Sequence, residues 1–115
     1  MLDERTRKIL LAIIKHCNII EDTKKYFGDD YKKFEENSIY QNAILTPVTQ
    51  IGELVKRLSK EFREQYNEIQ WRNIAGMRDI VVHSYETIDK LILWNVADTE
   101  IEKIKAFCKK IVNER

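Results

Sequence analysis

Three glycines and one proline stand in 115 residues, where ordinary usage would supply roughly a dozen of the two together. These two residues build most tight turns, so the chain has few places to reverse and must run in long stretches between them. Long helices meet that restriction. Apolar types at 43% and charged types at 34% give enough hydrophobic material for a folded core and too many charges for a membrane protein. The length suits one domain over residues 1–115.

The periodicity predicts where the helices fall. From Leu2 to about Phe27, Ile9, Leu10, Ile13, Ile14, Cys17 and Ile20 recur at three- and four-residue steps, the mark of one buried helical face. Gly28, followed by Asp29 and Asp30, is a stop, and residues 31–37 read as a charged connector. Asn37 or Ser38 can cap a second helix, whose stripe Ile44, Leu45, Val48, Ile51, Leu54, Val55, Leu58 and Phe62 predicts one long rod with a kink at Pro47. A third helix is expected from near Glu68, carrying Ile69, Ile74, Met77, Ile80 and Val81. The run Ile80-Val81-Val82 suits a strand in isolation, but it has no partner strand elsewhere. Beyond Ser84 a shorter helix takes Ile88, Leu91, Ile92 and Trp94 or Val96. Asp98 or Thr99 can then cap a last helix through Ile101, Ile104, Cys108, Ile111 and Val112. The expected fold is all-α, an antiparallel bundle of four to five helices.

Charge and composition exclude several chemistries. A net charge of +1 provides no global field toward nucleic acid or anionic lipid, so any RNA contact must come from a local cluster. Lys56, Arg57, Lys60 and Arg63 form one such run, although Glu53, Glu61 and Glu64 are interspersed. Cys17 and Cys108 are too few for a disulfide scaffold and fall in apolar patterns, as buried free thiols do. The longest apolar run covers the six residues 9–14, far short of a membrane span or a signal-peptide core. A reducing, cytoplasmic location is the expectation. The two histidines, His16 and His83, are far apart, no cysteine pair has ligand spacing, and no phosphate loop is present. No metal or cofactor is expected. His16 reads as a helix-surface or half-buried histidine, and Trp71 and Trp94 as core or interface packing residues.

One stretch carries chemistry. Arg78, His83 and Tyr85 place a permanent cation, an imidazole and a phenol within eight positions. An imidazole, which titrates near neutrality, can take the proton of a ribose 2′-hydroxyl, and a guanidinium can hold the phosphate as negative charge builds on it. At about 100° per residue, Arg78 and Tyr85 share a helical face, whereas Arg78 and His83 diverge by about 140°. Either the helix breaks near His83 or two copies of the chain face each other across a twofold axis, which would also supply two imidazoles. Asp79 falls four residues before His83 and can orient its ring or pair with Arg78. Spacing alone also fits a surface ion-pair residue, a helix C-cap and a half-buried tyrosine.

The surrounding residues carry a resemblance. Trp71, Gly76, Met77, Arg78, His83, Tyr85, Ile88, Asp89 and Trp94, with Ile51-Gly52-Glu53 upstream, resemble the signature of the HepT-like toxins. These form a branch of the HEPN superfamily, also described as domain of unknown function 86, and the resemblance covers almost the whole chain. It implies a HEPN-like helical homodimer, paired through its motif-bearing helices, that cleaves RNA without metal. Arg78 and His83 would be its catalytic residues, with Asp79 and Tyr85 supporting them. It further implies an antitoxin of the minimal nucleotidyltransferase (MNT) type that uses ATP to attach AMP to Tyr85. Many relatives have Asn after the signature arginine where this chain has Asp79, and that carboxylate lowers the local positive potential. The competing expectation is a non-catalytic HEPN module that serves a separate nucleotidyltransferase as its substrate-binding partner.

Overall fold

The computed structural model describes residues 2–76 and 89–114, and every described element is helical. The first helix, α1 (Glu4–Phe27), begins where the Asp3 carboxylate accepts the Thr6 amide at 2.7 Å. It ends at Gly28, whose φ of 107° lies in the left-handed region that favours glycine. Its predicted stripe is the buried face: Leu10, Ile13, Cys17 and Ile20 are fully enclosed.

The region expected to be a connector contains a short helix, α2 (Tyr31–Glu35), capped by Asp30. Phe34 explains it, because one turn of helix is what delivers this fully buried ring to the core. The next helix, α3 (Ser38–Lys56), is capped by Asn37, which accepts the amides of Ile39 and Tyr40. It runs through buried Pro47 and stops ahead of Leu58 and Phe62. Ser59 then caps a separate helix, α4 (Lys60–Gln65), by accepting the Phe62 amide at 3.0 Å. The single long rod expected over this stretch is therefore two helices. Both keep their apolar residues in the same core, so the stripe continues across a break in the backbone.

Residues 71–76 form α5, which starts at Trp71 rather than near Glu68 because residues 66–69 are turn and bend. The expectations placed on Met77, Ile80, Val81, Val82 and Ile88 lie outside the described residues. From Asp89 onward one continuous rod replaces the two helices expected: α6 (Lys90–Asn95), a π turn over Val96–Glu100, and α7 (Ile101–Asn113). Neither Asp98 nor Thr99 caps a helix, and backbone angles at Val96 and Ile101 remain helical. The expected last-helix stripe, Ile101, Ile104, Cys108, Ile111 and Val112, is buried as a set.

Pairwise contacts fix the directions. Arg7 donates to the Val112 carbonyl at 3.0 Å, Glu21 pairs with Lys105 at 2.8 Å and Lys24 with Asp98 at 2.7 Å, so α1 runs antiparallel to α7. The Tyr40 hydroxyl donates to the Gly28 carbonyl at 3.0 Å, while Ile9 and Arg57 border a common hollow, so α1 is antiparallel to α3 as well. The first helix is thus the central member, packed on both sides. Among the described residues no helix is long and apolar enough to cross a membrane.

Candidate functional site

Arg78, Asp79, His83 and Tyr85 lie outside the described residues. What the structure supplies is the frame on either side of them, residues 71–76 leading in and Asp89 leading out.

The entry side is anchored by Trp71. Its indole N–H donates to the Tyr66 carbonyl at 2.9 Å, and its ring packs edge-on to Phe107 with centroids 5.4 Å apart and tilted against Phe62 at 6.1 Å. Such ring pairs add to the area they bury. Ile74 and Ala75 face the core along the same helix, so α5 is seated from its first turn. A Cβ on Gly76 would meet no atom within 4 Å among the described residues.

The exit side is fixed by Asp89. Its Oδ1 accepts the amides of Leu91 at 3.0 Å and Ile92 at 3.1 Å, which makes it the N-cap of α6. Trp94 then plugs an aromatic cluster, with centroids 5.2 Å from Phe34, 6.1 Å from Tyr40 and 6.2 Å from Tyr31. The Lys24 ammonium stands 5.2 Å from its ring centroid. Both tryptophans are less than a tenth exposed, as packing residues should be.

The basic run does not act as one stripe. Arg57 borders the hollow beside Arg5 and Lys8, whereas Lys60 and Arg63 border a different hollow with Glu64, Asn67, Trp71 and Arg72. Sequence reasoning overlooked Arg72 and Asn67, because they join α4 only through the turn that precedes α5. His16 is half-buried, and its Nδ1 has no hydrogen-bond partner among the described residues. Burial, aided by the neighbouring Lys15 charge, holds its pKa below the ordinary value. No group of His, Cys, Asp and Glu among the described residues is arranged to hold a metal ion.

A family model described as ribonuclease HepT-like matches residues 16–111. The chain belongs to the HepT-like ribonuclease family. Relatives in this family include "Putative RNase MJ0125" of Methanocaldococcus jannaschii, 38% identical over 85 residues that cover 74% of this chain and 73% of the relative. "Putative RNase TTE0752" of Caldanaerobacter subterraneus subsp. tengcongensis is 32% identical over 108 residues, 94% of this chain and 95% of the relative. A second M. jannaschii protein, "Gamma-glutamylcyclotransferase and putative RNase MJ0434", is 37% identical over 103 residues, which make up 89% of this chain and 45% of that protein. No solved structure matches. The HepT-like frame, Trp71 to Gly76 and Asp89 to Trp94, thus consists of two packed helical segments on either side of Arg78 to Tyr85.

Proposed function

We propose that this HepT-like chain is a ribonuclease in which the ribose 2′-hydroxyl is the nucleophile and His83 and Arg78 are the catalytic residues. The observation that carries the reading is the extent of the family match, residues 16–111, which takes in the whole Arg78-to-Tyr85 signature. One imidazole accepts the 2′-hydroxyl proton as the 2′-oxygen attacks the adjacent phosphorus. The bond from phosphorus to the 5′-oxygen breaks, and that oxygen takes a proton from an imidazolium, leaving a 2′,3′-cyclic phosphate and a 5′-hydroxyl. Arg78 holds the phosphate as its charge grows. A homodimer supplies the two imidazoles, one per subunit, and brings each Arg78 to a shared cleft. Asp79 orients the His83 ring, and Tyr85 lines the cleft. Nothing in this scheme requires a metal.

The same reading makes the chain the toxin of a pair. Its antitoxin, a nucleotidyltransferase of the MNT type, transfers AMP from ATP to the Tyr85 hydroxyl with release of pyrophosphate. The new phosphodiester is anionic and bulky, and it occupies the guanidinium that RNA needs.

The test is RNA cleavage in the presence of a chelator by wild type, His83→Ala and Arg78→Ala. Loss of the general base is expected to slow cleavage by about 10²–10⁴-fold. If wild type leaves several RNAs intact, or if the variants match it, the catalytic reading fails. Asp79, an acid beside the signature arginine, favours a second reading in which the chain is a non-catalytic partner of a nucleotidyltransferase. Growth arrest on expression of the chain alone, relieved by His83→Ala, separates the two.

A further inference from the structure

We propose that the hollow bordered by Lys60, Arg63, Asn67, Trp71 and Arg72 is a docking subsite for the phosphate backbone of single-stranded RNA, outside the cleavage signature. The identity of the strand rests on the ribonuclease reading above. The hollow is an open depression of about 480 Å³ between α4 and the start of α5. Three cations and one carboxylate, Glu64, border it, a local charge of +2 in a chain whose total is +1. It is the kind of local cluster that an electrically balanced chain needs in order to hold a polyanion.

The cations are weakly committed to the protein. Lys60 reaches Glu64 at 3.8 Å, with both side chains largely exposed, and such a pair is worth little in water and yields readily to a phosphate. Arg63 and Arg72 enter no ion pair among the described residues, and Arg72 is exposed. Glu68, the next carboxylate along the turn, borders a separate hollow with Ile69, Glu100 and Lys103.

Trp71 decides what kind of contact this is. Its ring is 5% exposed and its N–H is already bonded to Tyr66, so it offers no free face for a stacked base. Contact is therefore with phosphates, which carry no sequence information, rather than with bases. The same packing against Phe62 and Phe107 holds α5 on α4, and so keeps Arg72 in register with Lys60 and Arg63. Arg72 precedes Arg78 by six positions, so the subsite belongs to the segment that leads into the signature.

The experiment is fluorescence-anisotropy titration of a labelled single-stranded DNA, a strand that lacks the 2′-hydroxyl nucleophile, across a range of salt concentrations. Arg63→Gln/Arg72→Gln is compared with wild type and with Lys25→Gln/Lys109→Gln, which removes the same charge from exposed positions outside both basic hollows. Two lost phosphate contacts are expected to lower the slope of log K against log salt by about 1.4, at about 0.7 per contact for single strands. Binding at low salt should weaken about tenfold or more, and the control pair should leave both quantities near wild type. Equal slopes for the two double variants overturn the subsite. If Arg63→Gln/Arg72→Gln fails to fold, the single Arg72→Gln change at an exposed position is read the same way, with an expected fall of about 0.7. Failure of the ribonuclease reading is separately visible: wild type would then bind the strand with the full slope and leave RNA uncut.

Discussion

The Lys24 ammonium lies 2.7 Å from the Asp98 carboxylate, and this contact ties the last turn of α1 to the π turn that joins α6 to α7. Lys24 also reaches Asp29 at 3.3 Å and sits over Trp94, with a side chain only 12% exposed. A π turn is a rare local departure from the α-helix, and Asp98, the partner of Lys24, lies within it. Burial works against the ammonium, but the hydrogen bonds it donates to the Asp98 and Asp29 carboxylates outweigh that and raise the Lys24 pKa. Asp98→Asn is expected to cost on the order of 1 kcal/mol, as for a charged hydrogen bond discounted for partial exposure. The sign with pH follows from the raised pKa. The contribution is complete below the unfolded lysine value of about 10.4 and disappears as pH rises through the folded value. Urea titrations of both proteins should therefore differ at pH 7 and converge in strong alkali.

Asp89 sits at the one described boundary of the signature on its C-terminal side, and its role is that of a cap. Removing both accepted amide bonds with Asp89→Ala is expected to cost about 1 kcal/mol. Asp89→Asn keeps an acceptor in place and should stay within a few tenths of a kcal/mol of wild type. Thermal melts measure this directly. An Asp89→Ala protein as stable as wild type would mean that the carboxylate does not cap α6.

Much of the fold is legible in the sequence, and the misreadings share a cause. The end of α1 at Gly28 and the start of α3 at Asn37 are written in local chemistry, a positive φ and a side chain that accepts two amides. The break between α3 and α4 has no Gly or Pro to announce it, and its apolar residues continue at helical spacing through Leu58 and Phe62 because both helices serve one core. Only Ser59 marks it, and a lone serine is weak punctuation. At Asp98 the error runs the other way. A good capping residue stands there, yet its carboxylate is taken by Lys24, 74 positions earlier in the chain. The same limit hid the basic hollow, since Arg63 and Arg72 are neighbours through a turn and not through a repeat. The chemistry of Arg78, Asp79, His83 and Tyr85 is read from residue types and from the family resemblance, and these residues lie outside the described ones.

Trp71 holds the entry to the signature through both its ring and its N–H. Trp71→Phe keeps most of the packing against Phe62 and Phe107 but leaves the Tyr66 carbonyl without its donor. A loss of about 1–2 kcal/mol is expected, against about 3–5 kcal/mol for Trp71→Ala, which also opens a cavity. Denaturant midpoints for the two variants should fall in that order. Equal losses would assign the whole effect to the hydrogen bond.

Cys17 on α1 and Cys108 on α7 are both fully buried. Burial pushes the Cys17 thiol up to about 12, with Glu21 adding to the rise and Lys105 opposing it. Cys108 is likewise pushed up to about 12 by burial, with Cys17 adding to the rise. The thiolate is the reactive form, so native protein at neutral pH should resist a thiol reagent that labels both residues promptly in denaturant. An unfolded cysteine ionises near 8.5, so above that pH the unfolded chain gives up protons that the folded chain keeps. Stability therefore falls as pH rises from there toward the folded value. A Cys17→Ala/Cys108→Ala protein starts less stable because it leaves space in the core, but it lacks this alkaline loss. Its urea midpoint should accordingly drop less than that of wild type between pH 7 and pH 10. Prompt labelling of both thiols in native buffer, or an equal drop in the two midpoints, would place these cysteines nearer to solvent than the packing of α1 on α7 allows.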